Sequence, residues 1–123
     1  MGKRVLIVED EAAIRNIWTH VFRRLGHETE EATNGSDALK VLESSDFDVV
    51  LTDLRMPGMS GVDLITAVER DERFSGLEIF VCSGFAEDQR SQLLSRRGVK
   101  RVIDKPFRVS EEVKYFRDLW SDQ

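Results

Sequence analysis

Five polar residues stand where short apolar runs of the sequence end, and their types could do phosphate chemistry together. Glu9 and Asp10 directly follow one apolar run, and Asp53 follows a second. Ser83 and Lys105 close two further runs. If these runs are parallel strands, their carboxyl ends meet at one edge of a sheet, which is where open α/β sheets bind ligands. We therefore expect the five side chains to lie together.

Three carboxylates at close range repel one another, so such a site either raises a pKa or holds a cation. Oxygen ligands without histidine or cysteine favour a hard cation, and Mg²⁺ fits best. The ammonium of Lys105 and the hydroxyl of Ser83 suit phosphate oxygens. One carboxylate is then free as a nucleophile that would form an acyl phosphate. Catalysis would consist of positioning and charge neutralisation, with no general base required.

Apolar runs of strand length alternate with segments of helical periodicity along the whole chain. The predicted strands are Val5–Val8, His27–Ala32, Phe47–Thr52, Glu78–Cys82 and Arg101–Asp104. The predicted helices cover about residues 14–25, 36–42, 62–68, 86–97 and 110–120. Strict alternation with right-handed crossovers predicts an α/β fold, a doubly wound (βα)5 three-layer sandwich with a parallel sheet between two layers of helices.

Length and composition fit a single domain, residues 1–123, with one core. A formal net charge of −5 disfavours binding of nucleic-acid backbones by the domain as a whole. The lone cysteine, Cys82, excludes an intramolecular disulfide and is expected in the core, as are Trp18 and Trp120. No apolar run approaches the roughly 20 residues that cross a bilayer, and the N-terminus is unlike a signal peptide. We therefore expect a cytoplasmic protein.

Four short motifs, in this order, resemble the signature blocks of response-regulator receiver domains, the CheY-like family of two-component systems. They are Val-Glu-Asp-Glu at 8–11, Asp-Leu-Arg-Met-Pro-Gly at 53–58, Ser-Gly at 83–84 and Lys-Pro-Phe at 105–107. The resemblance runs from about Lys3 to Trp120. It implies a flavodoxin-like parallel sheet of strand order 2-1-3-4-5, and a phosphoryl group received from the phosphohistidine of a sensor histidine kinase or a phosphotransfer protein.

The resemblance also assigns roles to the acidic residues. Asp53 resembles the phosphoacceptor, which is phosphorylated with the help of Mg²⁺ and loses the phosphoryl group slowly by itself. Glu9 and Asp10 resemble the acidic residues that hold Mg²⁺ together with Asp53 and the backbone carbonyl of Arg55.

Ser83 resembles the hydroxyl residue that moves to bind the phosphoryl group, and Lys105 resembles the lysine that pairs with it. The peptide bond after this lysine is usually cis in the family. The residue three before the lysine is often an aromatic switch and is Val102 here, so we expect output to rely on backbone shifts of the fourth helix. Phe85 and Arg55 occupy positions that tune the access of water, and we expect them to lengthen the lifetime of the acyl phosphate.

A basic cluster extends from the fourth predicted helix into the last predicted strand. It consists of Arg90, Arg96, Arg97, Lys100 and Arg101. One interpretation is an ordinary solvated face. The other is a docking surface for an acidic downstream protein, because this region is the usual output face of the family that the chain resembles. The domain itself is expected to be a monomer or a weak dimer.

Alternatives stand beside this function. Singly, Glu9 and Asp10 could cap the first helix, and the other three site residues could be ordinary turn or surface residues. A haloacid-dehalogenase-like phosphatase needs Asp-x-Asp after the first strand, and the second Asp is absent at Ala12. A flavodoxin-like FMN protein needs a Ser/Thr/Gly-rich loop there. A receiver-like module that signals without phosphorylation, a phosphorelay intermediate and a phosphate sink are not distinguished by the residues.

Overall fold

The structure is a computed structural model and describes residues 2–84 and 89–121. Five parallel strands form one sheet in the order β2-β1-β3-β4-β5, which confirms the predicted fold and strand order. The strands are β1 Arg4–Val8, β2 Glu28–Ala32, β3 Val49–Thr52, β4 Glu78–Ser83 and β5 Val99–Asp104. The helices are α1 Ala12–Arg24, α2 Gly35–Ser44, α3 Gly61–Glu69, α4 Arg90–Leu94 and α5 Val109–Leu119.

The two faces of the sheet bury two separate apolar cores. Successive side chains of a strand point to opposite faces, so Val5 and Ile7 of β1 pack on one face while Leu6 and Val8 pack on the other. The Val5 face is covered by α1 and α5, with Trp18, Phe22, Phe116 and Trp120 among its large buried side chains. The Leu6 face is covered by α2, α3 and α4 with mainly aliphatic side chains. This double burial explains why the strands read as continuous apolar runs.

Local sequence signals fix where the helices that flank the central strands begin. Asn34 caps α2, since its side-chain oxygen accepts from the amide of Asp37 at 2.8 Å. Ser60 and Asp63 form a reciprocal capping box at the start of α3. The box starts α3 directly after the loop that leaves β3.

Most element boundaries lie within two residues of the predicted ones, and the differences below have a physical reason. β5 begins at Val99, before the predicted Arg101, because two polar residues near its start hide the apolar pattern. α4 ends at Leu94 and not at Arg97, because Arg96 and Arg97 turn away to bind α3. The predicted start of this helix at Ala86 lies outside the described residues. A turn of 3₁₀ helix at Glu72–Phe74 is not predicted.

Burial agrees with the predicted core residues: Cys82, Trp18 and Trp120 are all buried. Burial raises the pKa of the Cys82 thiol to about 12, so this thiol stays protonated at neutral pH. In the described ranges 2–84 and 89–121, each helix is too short or too polar to cross a membrane.

Candidate functional site

Three carboxylates meet at the carboxyl end of the sheet. Glu9 and Asp10 follow β1, and Asp53 follows β3, the neighbour of β1. The two strands pair in register at Val8 and Thr52, and the amide of Asp53 donates to the carbonyl of Val8 at 3.1 Å. One carboxylate oxygen from each of the three acids lies within 4.8 Å of the others. Glu9 and Asp53 are buried, whereas Asp10 is exposed.

Lys105 reaches this acidic cluster from the residue that follows β5. Its Nζ donates one hydrogen bond to Glu9 Oε1 at 2.6 Å and another to Asp53 Oδ2 at 3.0 Å. Burial alone would lower the pKa of Lys105, but the hydrogen bonds to Glu9 and Asp53 raise it above its ordinary value. The ammonium therefore stays charged and offsets part of the repulsion between the carboxylates.

Glu9 is the acid that this environment perturbs most clearly. Burial raises its pKa to about 7 against the hydrogen bond from Lys105, and the charge of Asp53 raises it further. Its Oε2 atom is buried and has no hydrogen-bond partner among the described residues. Because buried polar atoms are normally paired, this oxygen is one that a bound cation would satisfy. Carboxylate oxygens are the donors that Mg²⁺ prefers, so the cluster fits this ion.

Asp53 is held in a fixed orientation by its own backbone and by Lys105. The amide of Leu54 donates to Asp53 Oδ1 at 2.7 Å, and the amide of Arg55 donates to the same oxygen at 3.4 Å. The other carboxylate oxygen, Oδ2, faces the Lys105 ammonium. The side chain of Arg55 is exposed. One oxygen of Asp53 is therefore oriented by the chain and the other by a cation.

Gly61, the first residue of α3, positions the Asp53 backbone and is not among the predicted site residues. Its amide donates to the carbonyl of Leu54 at 2.9 Å. A Cβ at this position would lie 2.1 Å from the carbonyl oxygen of Asp53, so a side chain does not fit without a backbone shift. The only signal in the sequence is a glycine directly before the helical pattern that begins at Val62, which can mark a close backbone approach.

The remaining residues predicted for the site are Ser83, Val102 and Phe85, and the first two lie near the carboxyl ends of β4 and β5. Ser83 is buried at the end of β4, and its carbonyl accepts from the amide of Lys105 at 3.3 Å. The Lys105-Pro106 peptide bond is cis, which confirms that prediction. Val102 is buried on the sheet face that α2, α3 and α4 cover. Phe85 lies outside the described residues.

Known proteins carry the same sequence pattern. The profile of the family described as response regulator receiver domain matches residues 5–117. The chain belongs to this family. Chemotaxis protein CheY of Pseudomonas aeruginosa is 40% identical to this receiver domain over 107 residues, which are 85% of each chain. Chemotaxis protein CheY of Thermotoga maritima is 35% identical over 115 residues, which are 93% of this chain and 94% of that protein.

Solved structures of other family members have the same fold as this receiver domain. Chemotaxis response regulator CheY4 of Vibrio cholerae matches with a TM-score of 0.85 and 26% identity, over 97% of this chain and 99% of that one. Response regulator protein TrrA of Thermotoga maritima, solved in complex with Mg(2+)-BeF, matches with a TM-score of 0.80 and 29% identity, over 95% and 98% of the two chains.

An apolar groove of about 380 Å³ runs beside Lys105 on the surface of the receiver domain. Its walls are Ile14 and Ile17 of α1 and Pro106, Phe107 and Val109 of the segment after β5. Ile14, Ile17 and Phe107 are only partly buried in the core, so they offer apolar surface within reach of the site.

Three members of the predicted basic cluster bind residues of neighbouring helices in the receiver domain. Arg96 binds Glu69 of α3, donating from Nε at 2.7 Å. The side chain of Arg101 in β5 reaches α5, where it donates to both carboxylate oxygens of the buried Glu112 at 2.7 and 3.1 Å. Lys100 is exposed. Arg97 is exposed and donates to the backbone carbonyl of Glu69 at 3.2 Å. Much of the cluster therefore holds neighbouring elements together.

Proposed function

We propose that this receiver domain accepts a phosphoryl group on Asp53 from the phosphohistidine of a sensor histidine kinase or a phosphotransfer protein. The observation that carries the proposal is the setting of Asp53, which is buried among acids and has one oxygen fixed by the Leu54 amide and the other facing Lys105. A surface aspartate in a turn needs no such setting. Glu9, Asp10, Asp53 and the backbone carbonyl of Arg55 are the groups that would hold Mg²⁺.

The chemistry assigned to the chain's own residues is mainly positioning and charge compensation. A carboxylate oxygen of Asp53 attacks the phosphorus of the donor. A P–O bond forms, the P–N bond of the phosphohistidine breaks, and the imidazole leaves with the electron pair of the broken bond. Lys105 neutralises charge on the phosphoryl oxygens, and the Ser83 hydroxyl donates a hydrogen bond to them. Bound Mg²⁺ would supply further neutralisation of that charge.

The charges around Asp53 support this assignment. Among the described residues, Lys105 is the cation that pairs with this cluster of three acids, so a further cation would reduce the repulsion that an approaching phosphoryl group meets. The unpartnered Oε2 of Glu9 supports the same ion. TrrA, a family member with 29% identity, is solved in complex with Mg(2+)-BeF, which supports Mg²⁺ as the cation here.

The apolar groove beside Lys105 supports a protein as the phosphodonor. A small anion would gain little from the apolar surface of Ile14, Ile17 and Phe107, whereas a helix with an apolar face would bury it. We place the donor there, with its phosphohistidine directed at Asp53.

We also propose that the domain acts on a downstream protein, that Phe85 and Arg55 shield the acyl phosphate, and that Val102 occupies the switch position. The cytoplasmic location and the monomeric or weakly dimeric state are proposals as well. Of the proposed partner face (Arg96, Arg97, Lys100 and Arg101), Arg97 and Lys100 are the exposed members, so they are the residues that an acidic partner would meet first.

The proposal is tested with purified protein, Mg²⁺ and acetyl phosphate, a small phosphoryl donor that releases acetate on transfer. We expect a phosphoprotein by intact-mass measurement in the wild type, and none in Asp53→Asn or when Mg²⁺ is chelated. Asp46→Asn is the matched control, because Asp46 is an exposed acid that precedes β3 at the opposite end of the sheet. Labelling of Asp53→Asn would contradict the proposal because another residue would then be the phosphoacceptor. No labelling of the wild type with Mg²⁺ would contradict it as well and would favour a module that works without phosphorylation.

A further inference from the structure

At the free edge of β5, a side chain of α4 binds one backbone carbonyl. β5 is the last strand of the sheet, so only one of its edges pairs with another strand. The amide of Lys105 points to β4, where it donates to Ser83. Because backbone groups of successive residues point to alternate sides of a strand, the carbonyl of Val102 points to the free edge. Arg90 Nη1 donates to this carbonyl at 2.8 Å.

Arg90 holds a second residue of the same strand end. Its Nη2 forms an ion pair with Asp104 Oδ2 at 2.6 Å. One guanidinium, which presents several donors in a rigid plane, therefore grips two of the three residues that immediately precede Lys105. No single-donor side chain could make both contacts in this geometry.

Few other side chains attach α4 in the part of the chain that the structure describes. Within Arg90–Leu94, Leu93 is the one buried side chain, while Leu94 is 45% exposed. The side chain of Gln89 at the N-cap makes no capping hydrogen bond to any described residue. Arg90 is the first residue of α4, so its two contacts fix the start of the helix to the strand that ends at Lys105.

We propose that Arg90 is a positioning residue that couples the attachment of α4 to the state of the Asp53 site. This inference rests on the proposed function, because it requires that Lys105 exchange its contacts when a phosphoryl group or its mimic occupies the site. Lys105 is covalently joined to Asp104, so a change in its reach across to Asp53 is transmitted to the residues that Arg90 holds. Val102 carries no aromatic ring, and the coupling here runs through its backbone carbonyl.

A merely structural ion pair would behave differently. Exposed ion pairs contribute little to stability, and their loss would loosen α4 to the same extent with and without a ligand in the site. Coupling is by contrast reciprocal: if occupation of the site changes the attachment of α4, then release of α4 changes the affinity of the site by the same factor.

The test is hydrogen exchange of the α4 amides, measured with and without Mg²⁺ plus beryllium fluoride as the phosphoryl mimic. In the wild type we expect the exchange rates of residues 91–94 to change by about fivefold or more on binding, and by less than about twofold in Arg90→Gln and in Asp104→Ala. Arg24→Gln is the matched control, since it removes the same charge from an exposed position on α1, and it should behave as the wild type.

Binding itself is read separately, from the NMR shift of the Leu54 amide and its loss in Asp53→Asn. If the wild type shows no such shift, the proposed function fails. If the shift is present but α4 responds equally in wild type, Arg90→Gln and Asp104→Ala, only the coupling is overturned. The same holds if Arg90→Gln leaves the affinity for Mg²⁺ plus beryllium fluoride unchanged.

Discussion

At the scale of residues, Lys105 allows three acids to share a small volume. Removing carboxylates from water is costly unless a counter-charge and hydrogen bonds compensate. The Lys105 ammonium bonds two of the acids at once, at 2.6 and 3.0 Å, while the third, Asp10, stays in solvent. Glu9 responds to burial by a raised pKa. The cluster therefore persists with incomplete charge compensation, which is the condition that makes it receptive to a divalent cation.

Gly61 gives a residue-scale prediction. Gly61→Ala places a Cβ against the carbonyl oxygen of Asp53, so we expect a loss of stability of about 1–3 kcal/mol. Because the shift moves the Asp53 backbone, the rate of phosphorylation by acetyl phosphate should fall by about 10- to 100-fold. Urea denaturation and intact-mass kinetics measure the two effects.

Gly76→Ala is the matched control for this change. A Cβ at Gly76 meets no described atom within 4 Å, so this variant should keep its stability within about 0.5 kcal/mol and its phosphorylation rate. Equal behaviour of the two variants would show that the close approach at Gly61 does not constrain Asp53.

The convergence of the site residues is predictable, whereas their contacts are not. Glu9, Asp53, Ser83 and Lys105 each lie at the end of a strand or directly after it, and parallel strands bring such ends to one edge. The hydrogen bond from Lys105 to Glu9 depends on side-chain rotamers and on burial, which spacing does not encode. The bond from Arg96 to Glu69 is hidden for the same reason, since the two residues lie far apart in the chain.

At the scale of elements, the helices differ in how firmly they are attached. α1 buries Trp18, Val21 and Phe22, whereas α4 buries Leu93 within its five residues. Apolar burial is the main source of helix attachment in a small domain. α4 therefore depends on one leucine and on arginine contacts at its start and beyond its end, and it has the fewest buried side chains of the described α-helices.

Replacing two adjacent leucines in turn measures how far the attachment of α4 depends on Leu93. Leu93→Ala removes the buried side chain of α4, and we expect it to lower the free energy of unfolding by about 2–4 kcal/mol. Leu94→Ala removes an exposed side chain of the same size from the next position, so its effect should stay within about 0.5 kcal/mol. Denaturation curves of the two variants give the comparison. Similar losses of unfolding free energy would show that Leu93 is not the main attachment of α4.

Elements are predictable where burial dominates the sequence pattern. β1 and β3 are buried on both faces and read as apolar runs, close to their true bounds. β5 begins earlier than predicted because Lys100 and Arg101 interrupt its pattern at the free edge of the sheet. The 3₁₀ turn at Glu72–Phe74 is set by Asp71, which accepts from the amide of Arg73, and so local a hydrogen bond leaves no periodic signal.

At the scale of the whole molecule, a series of ring contacts runs through the α1–α5 side from the site end of the sheet to the opposite end. Phe107 stacks on Trp18 with ring centres 4.6 Å apart, and Trp18 meets Phe116 edge-on at 6.0 Å. Phe116 contacts Trp120 at 5.3 Å, and Trp120 contacts His27 at 5.1 Å. Aromatic contacts of this kind add to area burial, so the series stiffens the side of the domain that carries the loop after Lys105.

His27, at the far end of this series, predicts a pH dependence of stability. Burial, reinforced by the charge of Lys3, lowers the pKa of His27 from its ordinary value of 6.5. Its Nδ1 accepts from the amide of Lys3 at 2.9 Å, which requires an unprotonated nitrogen. Since folding favours the neutral form, the contribution of His27 is complete above pH 6.5 and is lost as the pH falls toward the lowered pKa.

We therefore expect the free energy of unfolding of the wild type to fall between about pH 7 and pH 5 more steeply than that of His27→Asn. The asparagine oxygen can accept the same hydrogen bond without titrating in this range. His20→Asn, at an exposed position on α1, is the control and should follow the wild type. Parallel curves for the wild type and His27→Asn would exclude His27 as the cause of the acid-side loss.

The stack of Phe107 on Trp18 has an optical consequence. The chain contains two tryptophans, and the other, Trp120, lies beside Lys3 and His27, which precede β1 and β2 at the opposite end of the sheet. Rearrangement of the loop after Lys105 changes the surroundings of one indole and leaves those of the other in place. With Trp120 replaced by phenylalanine, the tryptophan fluorescence of the protein becomes a label-free signal from the one indole that contacts the loop after Lys105.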